Sequence, residues 1–168
     1  MIRRGGCRRL SRNVPFPECF ALADTFVPRD PDWKARCLAS FEQQPICRTL
    51  GIELTAVEPG FCEMRLPFRA ELTQQHGFFH AGMVSTLADN AGGYAAYSLM
   101  PAGAEVLAVE FKINLMAPAK GDVMIARARV VKPGRTLTIT QVEVSMLDGG
   151  AEKDCALMQQ TAICLLPK

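Results

Sequence analysis

The sequence lacks several patterns that mark common classes of protein. No hydrophobic run approaches the roughly 20 residues that a membrane-spanning helix needs. There is no Walker or dinucleotide-binding glycine loop, and no G-x-S-x-G motif surrounds a serine. The 13 glycines and 11 prolines show no period, which excludes a collagen-like or low-complexity chain. What remains is a chain of 168 residues, 49% hydrophobic and 21% charged, which is typical of one globular domain.

Cysteine is plentiful, but no two cysteines form a C-x-x-C pair, so the spacing typical of zinc or redox sites is missing. The odd number of seven argues against a complete disulfide framework. Cys62, Cys155 and Cys164 lie in apolar, strand-like runs, where a buried thiol behaves as a small hydrophobe. The cysteine pattern therefore predicts a cytoplasmic protein with reduced thiols and no bound metal.

Charge is distributed unevenly along the chain. Residues 1–13 hold five arginines and no acid, which leaves 14 basic against 17 acidic side chains in the remainder. The mildly acidic remainder offers no broad positive surface for nucleic acid. Prolines between positions 15 and 31 interrupt any helix there. We therefore predict an irregular basic tail over 1–31 and a single domain over 32–168, with a mitochondrial-type presequence as the alternative for the tail.

The pattern of apolar residues predicts one short helix, two strands, one long helix and four more strands. The predicted helices cover 32–44 and 82–99, and the strands cover 52–57, 61–67, 106–116, 122–131, 136–147 and 155–166. Because no helices alternate with the late strands, the sheet is expected to be mainly antiparallel and the fold α+β. Strict alternation in the third strand places one set of residues on a common apolar face: Leu107, Val109, Phe111, Ile113 and Leu115.

The predicted long helix is apolar almost all round, as expected for a helix wrapped by a sheet. One stripe of it is small or polar instead: Gly82, Ser85, Thr86, Asp89, Gly92, Gly93 and Ala96. Adjacent glycines inside a helix cost about 0.5–1 kcal/mol each relative to alanine. We therefore expect another group, such as a second helix or a ligand, to approach the glycine pair closely.

Asp89 is the only charged residue in this helix. A carboxylate removed from water without partners is costly. Asp89 is thus either a base or nucleophile in a dry cleft, or a structural aspartate that binds hydroxyls and backbone amides.

The only two histidines, His76 and His80, precede the helix in a loop that contains Gly77. They have no third ligand nearby in sequence, so they do not indicate a metal site. The free amides at the start of a helix favour negative charge, so the amides of Ala81 and Gly82 are candidates for stabilising an oxyanion. The alternative for either histidine is a loop residue that binds backbone.

The chain resembles the hot-dog-fold acyl-CoA thioesterases, specifically the phenylacetate-pathway-like branch, over about residues 45–166. The resemblance rests on His80-Ala81-Gly82 followed by Leu87-Ala88-Asp89, and on the segments 109–114 (VEFKIN), 118–122 (PAKGD) and 134–136 (GRT). The family motif is His-Gly-Gly with an acid nine residues after the histidine, which matches His80 and Asp89.

The resemblance implies a long helix wrapped by a curved antiparallel sheet, and a homodimer or a tetramer of paired dimers. It implies hydrolysis of an acyl-CoA to a free acid and coenzyme A, without a metal or organic cofactor. Asp89 would act as general base or nucleophile, and His80 would help to position the thioester carbonyl. The amide of Ala81 or Gly82 would polarise that carbonyl. Asp89 of one chain would face the His80 loop of the other.

Three positions depart from the family pattern. Ala81 replaces the first glycine of the motif, Gln74 stands where some members have a water-positioning asparagine, and Ala108 where some have a serine. Four residues fit an apolar acyl or aryl pocket or, equally, the core: Phe78, Phe79, Met83 and Tyr94. A basic turn fits either a solvated loop or a clamp for a phosphate of coenzyme A: Lys132, Gly134 and Arg135.

Two other functions remain open at this point. One is a hot-dog hydratase or dehydratase that acts on enoyl or hydroxyacyl thioesters. The other is a non-catalytic protein that binds acyl-CoA.

Overall fold

The computed structural model describes residues 26–167, in which an antiparallel sheet wraps around one long helix. The helices are α1 (Trp33–Gln43), α2 (Pro45–Leu50) and α3 (Ala81–Tyr97). The strands are β1 (Glu53–Glu58), β2 (Phe61–Pro67), β3 (Glu105–Leu115), β4 (Val123–Lys132), β5 (Leu137–Asp148) and β6 (Ala151–Leu165). The strand order is β1-β2-β4-β5-β6-β3, and every neighbouring pair is antiparallel. The predicted α+β class, long central helix and six strands are confirmed.

One helix was not predicted, and one predicted boundary was wrong. The first predicted helix ends before Pro45, as expected, but Pro45 then begins the unpredicted α2, where a proline at the first position loses no helical hydrogen bond. The last strand begins at Ala151 rather than 155. Gly149 and Gly150 have φ values of +56° and +87°, and they form a tight turn that pairs Asp148 directly with Ala151.

The predicted common apolar face of β3 was also wrong in part. The register shifts between Ala108 and Glu110, so a bulge interrupts the alternation. Leu107 pairs with Ile163 on the outer side of the sheet, whereas Phe111, Ile113 and Leu115 pair with inward-facing residues of β6. A bulge of one residue moves every later side chain to the opposite face.

Helix α3 lies in the concave side of the sheet, and its central residues Leu87, Ala88, Ala91 and Ala95 are fully buried. The predicted small and polar stripe is its least covered side, because five of its seven members are only half-buried: Gly82, Ser85, Thr86, Asp89 and Gly93. Within residues 26–167, no helix is long and apolar enough to cross a membrane.

The segment before α1 is tied to the C-terminal end of α3. Asp30 is 4% exposed and pairs with Arg36, with 2.7 Å between Oδ2 and Nε. Nη2 of Arg36 donates to the carbonyl of Met100 at 2.8 Å and to that of Tyr97 at 3.3 Å. Arg36 therefore binds carbonyls at the last residue of α3 and just beyond it. The first 25 residues of the predicted tail lie outside the described residues, and its extent stays a prediction.

Arg36→Met should lower the free energy of unfolding by about 3 kcal/mol, because it leaves the Asp30 carboxylate buried without a counter-charge. For a domain of this size, that corresponds to a fall in Tm of about 6–12 °C. Thermal unfolding followed by circular dichroism measures the change. Lys34→Met, at an exposed position of the same helix, is the control and should leave Tm nearly unchanged. Equal Tm values for the two variants would contradict the proposed role of the Asp30–Arg36 pair.

Candidate active site

The loop before α3 is a closed turn. Thr73 and Phe79 form an isolated antiparallel bridge, and the amide of Gln74 donates to the carbonyl of Phe78 at 2.9 Å. Gly77 lies between them with φ +78°, a conformation that side chains rarely adopt. The backbone amide of His80 donates to Leu72. These bonds fix the direction in which the chain enters α3.

His80 caps the N-terminus of α3. Its Nδ1 accepts the amide of Gly82 at 2.9 Å, which in the neutral ring places the proton on Nε2. Its carbonyl accepts the amides of Met83 and Val84. The amide of Ala81 is then the one in this turn without an acceptor in residues 26–167. Of the two amides predicted to stabilise an oxyanion, Gly82 is engaged by His80, and Ala81 is free.

Gln74 has a local partner. Its Oε1 accepts the amide of His76, which orients the side chain and leaves the NH₂ group without a partner in residues 26–167. Gln74 lines a cavity of about 440 Å³ together with Phe78, Phe79, Ala81 and other residues of this region.

Only two of the four residues predicted to form an apolar pocket line this cavity. Phe78 and Phe79 line it, although Phe79 is 3% exposed and stacks edge-on against Phe68. Met83 packs against the core, and the Tyr94 hydroxyl binds Ser40 and Gln44 under α1 and α2. Tyr94 is therefore a core residue. The remaining wall of the cavity comes from the end of β3 and the segment after it, including Leu115 and Met116.

Asp89 lies eight residues after Ala81, roughly 12 Å further along the helix at 1.5 Å per residue. It is half-buried, and Gln160 Nε2 donates to its Oδ1 at 2.5 Å. Burial raises the pKa of the Asp89 carboxyl above its ordinary value, while the hydrogen bond from Gln160 acts to lower it. A single chain thus holds the predicted acid and the predicted oxyanion amide too far apart to act on one carbonyl.

The glycine pair in α3 has two different surroundings. A Cβ on Gly92 would lie 2.1 Å from Gln160 Oε1 and 3.0 Å from Thr140 Oγ1. A Cβ on Gly93 would meet no atom within 4 Å. The expected close approach is therefore confirmed at Gly92, where the approaching group is a side chain of the sheet, and wrong at Gly93 within residues 26–167.

The basic turn is not close to this region within one chain. Gly134 and Arg135 lie beside Leu99, beyond the opposite end of α3 from His80, and Lys132 is the last residue of β4 before this turn. Gly134 and Arg135 line a second cavity, of about 430 Å³, that includes Arg29 and Phe26. Arg29 donates to the carbonyl of Gly134 at 2.7 Å.

Sequence reasoning missed Gln160 and Thr140. The signal was present in β6, where Gln160 is the one polar residue in an inward row with Ala156, Met158 and Ala162. Across residues 26–167, no group of three or more His, Cys, Asp or Glu side chains is placed to hold a metal ion.

Comparison with known proteins identifies the relatives of the chain. The family model "Thioesterase superfamily" matches residues 76–153. A putative esterase of Halobacterium salinarum is 31% identical over 121 residues, which are 68% of this chain and 80% of that protein. Human acyl-coenzyme A thioesterase 13 is 36% identical over 102 residues, which are 58% of this chain and 71% of that protein.

Solved structures agree with these relatives. A thioesterase family protein from Silicibacter pomeroyi superposes with a TM-score of 0.79 and 45% identity, and the match covers 80% of this chain and 99% of that one. The PaaI protein of E. coli shares the fold, with a TM-score of 0.72, 23% identity, and coverage of 82% and 96%.

The central helix, the wrapping sheet and the capped loop before the helix define a hot-dog-fold enzyme. The chain belongs to the thioesterase superfamily and is a thioester hydrolase.

Proposed function

We propose that the protein hydrolyses acyl-CoA thioesters to free acids and coenzyme A, with Asp89 as the catalytic carboxylate. The observation that carries this proposal is the half-buried Asp89 carboxyl, whose raised pKa reflects a poorly hydrated site. A free helix N-terminal amide at Ala81 supplies the second group that acyl transfer needs. Relatives named acyl-coenzyme A thioesterase, human thioesterase 13 and E. coli PaaI, support the substrate class.

The proposed site is completed by a second copy of the chain. The roughly 12 Å between Ala81 and Asp89 along α3 prevents one chain from assembling it. The half-exposed stripe of α3 and the exposed apolar side chains of β3, an edge strand, offer a surface for that copy. On the inner side of β3 these are Phe111 and Leu115, which are 46% and 54% exposed. Asp89 of one protomer would then face the His80 loop of its partner, in a homodimer or in a tetramer of two such dimers.

The proposed reaction uses water and groups of the chain. Ionised Asp89 takes a proton from water, and the hydroxide oxygen forms a bond to the thioester carbon. The carbonyl oxygen becomes an oxyanion. It accepts hydrogen bonds from the Ala81 amide and from Nε2–H of His80, the donor that the His80 ring still has available. Collapse breaks the carbon–sulfur bond, and coenzyme A leaves as its thiol after taking up the proton. In the alternative route, an Asp89 oxygen attacks the thioester carbon, and the carbon–sulfur bond breaks so that coenzyme A leaves as its thiolate and takes up a proton. Water then hydrolyses the resulting mixed anhydride to the free acid and restores the Asp89 carboxylate.

The substrate pocket and coenzyme A site are also part of the proposal. Phe78, Phe79 and the residues of 115–119 would hold an apolar acyl or aryl group. Lys132 and Arg135 would bind a phosphate of coenzyme A, joined by Arg29 across the second cavity. The five described cysteines are free thiols, which supports a reducing, cytoplasmic location.

The test is coenzyme A release from a panel of short, long and aryl acyl-CoAs, separated by chromatography so that the protein's own thiols do not react with the reporter. Turnover of any panel member above the level of Asp89→Asn supports the proposal and identifies its acyl class. A trans-2-enoyl-CoA in the panel reveals hydration instead of hydrolysis. Tight binding without release across the panel would contradict the proposal and favour a binding protein.

A further inference from the structure

A buried amide lies on the inner face of the sheet, next to Asp89. Gln160 of β6 is 1% exposed, and its inward neighbours on the strand are Met158 and Ala162. A primary amide in such a position costs free energy unless its donors and acceptor are paired. Its partners therefore show why an amide occupies this place.

The donors of Gln160 are directed at Asp89. Nε2 donates to Asp89 Oδ1 at 2.5 Å and to the Asp89 carbonyl at 3.2 Å. At the other end of the amide, Oε1 accepts the hydroxyl of Thr140 at 3.3 Å, and Thr140 is fully buried on β5. Oδ2 of Asp89 has no partner in residues 26–167. One carboxylate oxygen is thus held, and the other is free.

The helix backbone is adapted to this contact. Gly92 lies three residues after Asp89, and any side chain there would overlap Gln160 Oε1, which is 2.1 Å from the position of a Cβ. A Cβ contact below 3.0 Å forces a neighbour to move. Glycine in a helix interior costs stability relative to alanine, and here that cost permits the approach of Gln160.

We propose that Gln160 is a positioning residue for the hydrolysis, which fixes the rotamer of Asp89 through Oδ1 and directs Oδ2 towards the attacking water. Thr140 holds the far end of the amide, and Gly92 provides the space for it. The inference rests on the proposed function of Asp89. A carboxylate that is free to rotate would spend less time in the reactive orientation, so kcat would fall when Gln160 is removed.

Few groups around Asp89 affect its pKa, so a change in that pKa reports on the Gln160 hydrogen bond. Burial and the Gln160 hydrogen bond are the causes that act on its pKa. The inward positions of the six strands are apolar or neutral polar residues, with the thiols of Cys62, Cys155 and Cys164 as their titratable groups. Across α3 from the sheet, the ionisable groups are Cys37, Cys47, Tyr94 and the Asp30–Arg36 pair at the C-terminal end. In the proposed dimer, His80 of the partner protomer also faces Asp89, but it is the same in wild type and in both variants. Loss of the Gln160 donor should therefore raise the pKa of Asp89 relative to wild type.

The test compares Gln160→Met with Gln159→Met, which alters an exposed glutamine on the other face of the same strand. We expect Gln160→Met to lower kcat by about 10- to 100-fold with KM within about threefold of wild type. The acidic limb of the kcat/KM profile should move to higher pH by about one unit. Gln159→Met should match wild type in kcat, in KM and in the position of the acidic limb. A purely structural role would lower Tm without moving the limb.

Thr140→Val provides a second, nearly isosteric variant in case Gln160→Met does not fold. The acidic limb of the kcat/KM profile of Thr140→Val should also move to higher pH, by a smaller amount than in Gln160→Met. Folded variants whose limb and kcat equal those of wild type would overturn the inference and leave the proposed function standing, provided that wild type shows Asp89-dependent turnover. If wild type releases no coenzyme A, both proposals fail. Carboxyl NMR titration of Asp89 then still shows whether the Gln160 contact exists.

Discussion

Asp89→Asn is expected to lower kcat by at least about a thousandfold while leaving the protein folded. Asparagine cannot take a proton from water, but its Oδ1 can still accept the Gln160 amide. The raised pKa of Asp89 means that burial disfavours its ionised form in the folded state. Replacing it with a neutral amide removes that penalty at neutral pH, so Tm should stay the same or rise.

The pH profile of the wild-type enzyme tests the same assignment. Because a general base acts only when ionised, kcat/KM should fall as the pH drops through the raised pKa of Asp89. The limb should therefore lie above the ordinary aspartate value of about 3.9. Asp154→Asn, at an exposed position of β6, is the matched control and should retain full activity. Full activity in Asp89→Asn would show that another group is the base.

Ala81→Pro is expected to lower kcat by about a hundredfold or more, because it removes the free amide proposed to bind the oxyanion. Proline is tolerated at the first position of a helix. His80 already has the extended conformation, φ −62° and ψ 141°, that a residue before proline prefers. Helical content measured by circular dichroism should therefore be unchanged. Ala81→Gly, which keeps the amide, is the control and should retain most of the activity.

Mixing the two inactive variants tests whether the site is shared between protomers. Each mixed dimer of Asp89→Asn and Ala81→Pro chains has one site with both groups intact and one site with neither. Random pairing makes half of the dimers mixed, so co-expressed chains should recover about a quarter of wild-type activity. If one chain held the whole site, every site would carry a defect, and the mixture would stay inactive.

The elements that the sequence predicted well are those with local signals. The long apolar helix, the alternating strands and the spacing of His80 to Asp89 can be read over short stretches of chain. The missed features depend on distant contacts or on fine geometry. The short helix α2, which begins at Pro45 directly after α1, was not predicted, and the bulge after Ala108 has no residue that signals it.

The sequence predicted the individual residues of the candidate site but not all of the contacts between them. Ala81 and Asp89 were named from a motif. The hydrogen bond from the Gly82 amide to His80 Nδ1 depends on a side-chain rotamer that no sequence pattern predicts. Gln160 is 71 residues from Asp89 along the chain. The sequence shows only that Gln160 is one polar residue in an otherwise apolar row, and this pattern does not identify its partner.

The close fit of Gly92 against Gln160 restricts the order in which mutations can accumulate. Alanine at position 92 first would force the end of the Gln160 side chain, whose Oε1 is 2.1 Å from the new Cβ, to move away from its place beside Asp89. If position 160 first becomes alanine, the same change at 92 meets only the Thr140 hydroxyl, 3.0 Å from the Cβ, and glycine no longer serves the contact for which it costs about 0.5–1 kcal/mol of helix stability. The effect of alanine at 92 thus depends on residue 160, so the two substitutions are epistatic. A lineage that loses the amide also loses the reason to keep the glycine.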